Sequence, residues 1–500
     1  MPLLPDSPIG PPPMRTFITG YDIEVAHTFG HQEIVIGPYD TVTAVARELA
    51  AKFGMRIVLG AAGTPPAGAA PASGVPAPPA VRARPSAAPL PSVAAAAAKS
   101  TVRAEPVASA ADRPSYDLDA WRRKFPILQH HIHLANCSQS PQSDYTREAA
   151  QAYLASWDQM GMDWDQWMEE IALAKAEFAR LINADASEIA IGTSVSEITS
   201  AVASALSFQG SRNKVVVTDA EFPTVGHVWL AHQKYGARVQ FVPVTNGMIE
   251  VSEYDRYVDE STLIASICDV YYYNGFKQDI DAIIPRIHAK GSLVYLDAYQ
   301  GLGTHPIDVK ALDVDFLSSG NLKYLLGVPG VAFLYVKPQL VQHLMPAMTG
   351  WFGRLHPFAF DIHTLDYASD ARRFDNGTPP VVTAYIARAG MRVINEVGPP
   401  QIQSWLDRLG QRCIEGADAR GLDVVSPRDI RRKGGTTAIR VPGSSHDVEL
   451  ALRGKQIIGS ARADVIRFAP HFFTRLEDID YALDRLVEVL RPAARGGVTQ

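Results

Sequence analysis

YLDAYQGLGTHPIDVKALDVDFLSSGNLKYLLGVPGVAFLYV, residues 295–336, is the stretch whose reading decides the fold. It opens on an apolar run that ends in an acid, Asp297. It then passes through a Gly- and Pro-punctuated connection to a second short run, DFLSSG, and reaches Lys323 between Leu322 and Leu325 just before a glycine-proline-glycine cluster. Short apolar runs separated by helical connections imply parallel strands, and an open parallel sheet gathers ligands at the carboxyl ends of its strands. Asp297 and Lys323 are then expected to project into one crevice. Such a pair also serves as a buried ion pair between two strands, and these residues alone leave both readings open. The apolar flanks of Lys323 bear on the choice, because desolvation penalises an ammonium and favours the neutral, nucleophilic amine.

The same alternation extends on both sides. KVVVTDA (214–220), ARVQFVPV (237–244), TLIASICDVYYY (262–273) and VAFLYVK (331–337) read as strands. IDAIIPRIHAKG (280–291) reads as a helix stopped at Gly291. The fold class is α/β, with a large, mainly parallel, seven-stranded sheet covered by helices. After Trp351 the chain turns helix-rich, then offers strands at TTAIRVP and VIRFAP and a last helix in EDIDYALDRLVEVLRP, which predicts a smaller α+β domain. Ahead of the main domain, residues 61–115 are mostly Ala and Pro and read as a disordered linker. Residues 1–60 read as a small module with strands at EIVIG and RIVLG, a turn at residues 37–40, and a helix in TAVARELAAKFG, while a disordered tail with one transient helix fits the same composition. The expected division is therefore 1–60, 61–115, 116–350 and 351–500. So small a module is marginal alone and is expected to dock, and its linker suits tethering to another protein or to a shell.

Composition narrows the function. A chain of 500 residues that is 47% hydrophobic has enough apolar side chains for a large core. Its net charge of −6 is spread rather than blocked, so no nucleic-acid partner and no membrane partner is expected. Cys137, Cys268 and Cys413 are far apart and show no metal spacing, which fits a reducing compartment without a metal site. No apolar run approaches the ~18 residues of a membrane span. The first residues lack a leader pattern, so a cytoplasmic location is expected.

Asp297 to Gln300, then Pro306-Ile307-Asp308, then Leu312-Asp313-Val314-Asp315-Phe316, with Lys323 eight residues after Asp315, form a combined pattern. It resembles the fold-type I pyridoxal-phosphate enzymes. Within them it is similar to the class V aminotransferase group that includes cysteine desulfurases, isopenicillin N epimerase-like proteins and kynureninases. The likeness covers nearly all of residues 116–490.

The resemblance implies pyridoxal 5′-phosphate as cofactor, a Schiff base on Lys323, and Asp297 paired with the cofactor's ring nitrogen. It implies that Gln300 meets the ring hydroxyl and that Ala298 is small enough to lie under the ring. In IGTSVSEITSAVASAL (191–206) it places the phosphate cup at Ser194, Val195 and Ser196, where a helix start supplies amide donors; an ordinary N-cap with Glu197 in the first turn fits the same residues. Phe222 in DAEFPTVGHVW would stack on the ring. Asn321, just before the lysine, joins the cofactor set. Thr378 in ARRFDNGTPP would reach the phosphate of a neighbouring subunit, which implies a homodimer with shared sites. Arg467 in DVIRFAPHFFT would pair with the α-carboxylate of a small amino-acid substrate, with Asn136 and Gln139 over it.

Two departures qualify the likeness. Gly320-Asn321-Leu322 stands where many relatives have Ser-Gly-His, so two phosphate ligands are replaced. The short segment KQIIGSARADVIRFAP before Arg467 carries none of the cysteine that a desulfurase needs there. The expected activity is thus Cα-carbanion chemistry on an α-amino acid, of lyase or epimerase type. Class V aminotransfer, cysteine desulfuration and a non-catalytic scaffold or cargo protein keeping the fold are the alternatives.

Overall fold

The computed structural model describes residues 31–36, 44–59 and 113–491, with positions 17, 18, 23, 26, 27, 41 and 42 besides. All but the last three residues of the linker expected at 61–115, and the turn expected at 37–40, lie outside the described residues. The chain divides into two compact units between Val102 and Arg103.

In the first unit Glu33–Ile36 pairs in parallel with Arg56–Leu59, and Phe17–Ile18 with Thr41–Val42. A helix, Ala44–Lys52, supplies Ala46 and Ala50 to a core completed by Ile23, Ala26, Val42 and Met55. The two strands and the helix stand where the hydrophobic pattern put them.

In the second unit two long helices come first, α1 (Asp144–Met160) and α2 (Trp164–Leu181). Seven strands follow: β1 (Ile189–Gly192), β2 (Lys214–Thr218), β3 (Arg238–Val242), β4 (Thr262–Cys268), β5 (Leu293–Asp297), β6 (Phe316–Gly320) and β7 (Ala332–Val336). They form one sheet in the order β1-β7-β6-β5-β4-β2-β3. Only β7 runs against its neighbours. Side chains of β2, β4, β5, β6 and β7 are buried on both faces, which is why these strands read as continuous apolar runs rather than alternating ones.

Helices cover the sheet, among them α3 (Val195–Ser204), α4 (Pro223–Ala231) and α5 (Ile280–His288). Gly291 follows α5 at φ 69°, the left-handed position a glycine tolerates at a helix end. The C-terminal part adds α6 (Val381–Val397), α7 (Pro399–Asp418) and α8 (Leu476–Leu490). It also holds an antiparallel sheet ordered β8-β9-β11-β10, made of β8 (Asp423–Val424), β9 (Thr437–Arg440), β10 (Ser460–Arg462) and β11 (Val465–Phe468). The expected large mainly parallel sheet and smaller α+β part are both present. No helix among the described residues is long and apolar enough to cross a membrane.

One connection was absent from the sequence reading. Ile132–His133 pairs in parallel with Ile457–Ile458, so the segment ahead of α1 is sewn into the C-terminal part. That pairing carries residues 134–140 across the ends of the large sheet.

Candidate active site

The carboxyl ends of β1, β2, β4, β5 and β6 open on a cavity of about 380 Å³, within the ~300–1,000 Å³ typical of small-molecule sites. Ser194, Phe222, Asp297, Gln300, Lys323 and Arg467 are all in its wall. The two groups singled out first, Asp297 and Lys323, therefore do share one crevice.

Lys323 follows β6 on a loop whose backbone is pinned from two sides. Its carbonyl accepts from the Ser140 hydroxyl and from the Leu326 N–H, and the next carbonyl, that of Tyr324, lies 2.9 Å from a ring nitrogen of His471. The amine stands 4.0 Å from the centre of the Tyr299 ring and 5.6 Å from that of Phe222. Desolvation pulls its pKa down to about 8, against the opposing pull of Asp297. A lysine so placed is neutral far more of the time near neutral pH than an ordinary lysine.

Asp297 ends β5, and its Oδ1 accepts the N–H of Tyr299 at 2.8 Å. Burial pushes its carboxyl up, while that hydrogen bond and the Lys323 charge pull the other way. Glu221, buried on the loop after β2, is pushed well above the carboxylate range by burial and by Asp297.

At the far side α3 begins. Ser194 is its N-cap, accepting from the Glu197 N–H, while Glu197 turns back to accept from the Thr193 N–H and hydroxyl. The N-cap reading is thus realised. It leaves the N–H groups of Val195 and Ser196, in the first turn, without an intrahelical acceptor, and both residues line the cavity. A phosphate fits there by charge and by donors.

Arg467, on β11, is 1% exposed. Its Nη1 donates to the Tyr272 carbonyl at 2.7 Å, and its Nη2 to Ser460 Oγ at 2.7 Å and Ser138 Oγ at 3.0 Å. One Nη1 hydrogen remains for a ligand. The hydroxyls of Ser138 and Ser460, 2.7 Å apart, stand beside it.

Five of the anticipated residues do not line the cavity. Ala298 is buried, with its N–H donated to the Ser318 carbonyl. Asn321 is buried with neither side-chain polar atom partnered. Asn136 donates to the Ala469 carbonyl, and Gln139 to those of Ser140 and Gly327, so both amides tie the segment ahead of α1 to its surroundings. Thr378 is solvent-exposed in this chain. Gln300 does line the cavity, its amide nitrogen donating to the Cys137 carbonyl at 3.1 Å.

Tyr299, Cys137, Cys268 and Arg462 line it too, and sequence reasoning gave them no part in the site. The signal for Tyr299 was Gly320, the departure from the usual serine. For Arg462 it was the even spacing from Ser460 along a strand too short to show a period.

Comparisons with known proteins bear on the family and the fold. The family model for class V aminotransferases matches residues 138–462. An uncharacterized aminotransferase of Bacillus subtilis, YcbU, is 38% identical over 368 residues, covering 74% of this chain and 97% of its own. A kynureninase of Pseudomonas fluorescens is 25% identical over 370 residues, covering 70% and 84%. Among solved structures, a cysteine desulfurase from Thermococcus onnurineus superposes with a TM-score of 0.68 at 21% identity, over 76% of this chain and 98% of that one. The fold, the strand-end lysine and acid, and a match over most of the chain lead to one conclusion: this protein belongs to the class V aminotransferase family, and it is a pyridoxal-phosphate-dependent enzyme.

Proposed function

We propose that this enzyme takes an α-amino acid whose Cα proton Lys323 removes and redelivers, in a reaction of lyase or epimerase type. The observation that carries the reading is the gathering of the Lys323 amine, Asp297 and Arg467 in one cavity. Pyridoxal 5′-phosphate, when bound, supplies the electron sink for negative charge at Cα. The chain's own residues do the rest. The Val195 and Ser196 N–H groups with the dipole of α3 hold the phosphate. Phe222 offers a ring face, and Asp297 holds a proton on the ring nitrogen. Arg467 and the Ser138 hydroxyl orient the substrate α-carboxylate, and Lys323, neutral for part of the time, accepts the Cα proton at Nζ.

The position of the cysteines favours this over desulfuration. Passing a sulfur atom to an acceptor needs a thiolate that can leave the site. Cys137, Cys268 and Cys413 are all buried, and Cys137 is packed against Tyr324 and Ala469. Aminotransfer is the second reading, supported by the name of the Bacillus subtilis relative. The exposure of Thr378 supports a homodimer in which that residue reaches the other copy's site.

The test is a panel of amino acids incubated with cofactor-loaded protein in deuterated water. Deuterium at Cα, lost in Lys323→Ala, is the expected result. Product formed without an added 2-oxo acid marks a lyase, a racemised substrate an epimerase, and strict dependence on a 2-oxo acid an aminotransferase. Exchange surviving in Lys323→Ala would overturn the assignment.

A further inference from the structure

The cavity carries a second guanidinium that the chemistry above leaves unused. The ionisable side chains of ordinary charge in its wall are Asp297, Lys323, Arg462 and Arg467. Asp297 answers to the ring nitrogen and Arg467 to the α-carboxylate. Arg462 has neither a hydrogen bond nor an ion pair among the described residues, and it is exposed while lining the cavity.

Its carrier strand, by contrast, is fixed. In the β10–β11 hairpin Ser460 lies opposite Arg467, and Arg462 opposite Val465. Alternation along a strand puts Ser460, Arg462 and Arg467 on one face, with the two arginines as diagonal neighbours about 7–8 Å apart at the backbone. The turn is held by Asp464, which accepts from the Tyr273 hydroxyl at 2.6 Å and from Arg440 Nε at 2.9 Å. Glu449 accepts from the Ala461 N–H at 3.1 Å and pairs with Arg453. The acids beside Arg462 are therefore committed elsewhere. The Arg462 charge also helps to lower the Lys323 pKa, which places its field in the reaction space.

A cation carried on a fixed strand and left without an anion, one strand step from the α-carboxylate site, suits a substrate bearing two anions. Resting on the amino-acid reading above, we propose that Arg462 binds the side-chain carboxylate of the substrate. The enzyme's substrate class is then the acidic amino acids, aspartate- or glutamate-like, rather than neutral ones. Arg462 is a specificity residue; Lys323 and Asp297 do the same work for any substrate.

The test is calorimetric titration of cofactor-loaded protein with α-methylaspartate, α-methylglutamate and 2-aminoisobutyrate, none of which has a Cα proton to lose. At least one acidic analogue is expected to bind more tightly than 2-aminoisobutyrate. Arg462→Gln should weaken that acidic analogue by about 10- to 100-fold and spare 2-aminoisobutyrate, with Arg462→Lys in between. Equal weakening of all three would overturn the proposal by assigning Arg462 to the α-carboxylate, and lost cofactor affinity would do so by assigning it to the phosphate. No change in any of them would remove Arg462 from recognition. O-phosphoserine binding more tightly than both acidic analogues, through Arg462, would replace carboxylate with phosphate. Failure of the underlying reading looks different: the wild-type protein, with cofactor bound, would bind none of these amino acids.

Discussion

The phenol of Tyr299 occupies the space that a side chain at position 320 would need: a Cβ built on Gly320 overlaps the phenol carbon and the hydroxyl. The two residues sit at neighbouring strand ends, Gly320 closing β6 and Tyr299 two residues beyond the end of β5. From there Tyr299 touches each part of the site. Its N–H donates to Asp297, and its ring faces the Lys323 amine at 4.0 Å. Glycine at 320 is therefore the other half of a bulky residue at 299.

Gly320→Ala should accordingly destabilise the protein by about 1–3 kcal/mol through overpacking, and it should weaken cofactor binding by displacing Tyr299. In a Tyr299→Ala background the same substitution should cost far less. Denaturant unfolding of the four proteins measures the coupling, expected at about 1 kcal/mol or more. Strict additivity would mean that the two positions do not share the space.

In the proposed reaction, capture of the cofactor by the apoprotein needs the neutral Lys323 amine. Its rate should rise with pH through about 8, where burial has brought the pKa, and level off above. Asp297 holds that pKa up, so Asp297→Asn should move the midpoint to lower pH. Stopped-flow absorbance of cofactor binding between pH 6 and pH 10 checks both points. A midpoint near that of an ordinary lysine, or one that Asp297→Asn leaves in place, would contradict this account of the amine.

How much of this was legible beforehand depended on how local each signal is. Asp297 and Lys323 stood out because strand, turn and short helix follow one another within one stretch, and the sheet topology then brings the two ends together. Ser194 was legible as an N-cap, and the same first-turn geometry is what makes the proposed phosphate cup readable there. Tyr299 was not, since its role needs the facing glycine on the next strand. Arg462 lies on a three-residue strand, too short for alternation to show. Cys137 seemed remote because only the pairing of Ile132–His133 with Ile457–Ile458, across more than half the sequence, brings its segment to the cavity.

That placement makes Cys137 the sharpest control on the reaction type. It lines the cavity, yet it is 1% exposed and packed against Tyr324. Cys137→Ser should retain turnover of the preferred amino acid within a few-fold. A thiol-alkylating reagent should leave Cys268 and Cys413 unlabelled in the folded protein, because burial drives both thiols away from the thiolate form. Activity abolished by Cys137→Ser, together with a persulfide on that residue in wild-type protein given cysteine, would return the enzyme to the desulfurases.

A second buried lysine sets how stability responds to pH. Lys433 is 3% exposed, and its Nζ donates to the Gly434 carbonyl at 3.0 Å. Burial lowers its pKa from the ordinary 10.5 to about 8, with Cys413 and Asp407, both on α7, pulling the other way. Between those two values the unfolded chain binds more protons than the folded one, so the contribution of Lys433 to stability rises with pH across that window. Below about 8 both states are protonated, and the folded protein carries the full cost of a poorly solvated ammonium. Lys433→Met keeps the length of the side chain and removes the charge. It should therefore stabilise the protein at pH 7 by on the order of 1–3 kcal/mol, with the advantage shrinking toward pH 10. Lys323 titrates in the same window, but it is present in both proteins and cancels in the difference. Urea unfolding of both proteins at pH 7, 8.5 and 10 gives the comparison. A methionine variant that is less stable by the same amount at every pH would show that the bond to Gly434, and not the buried charge, governs this position.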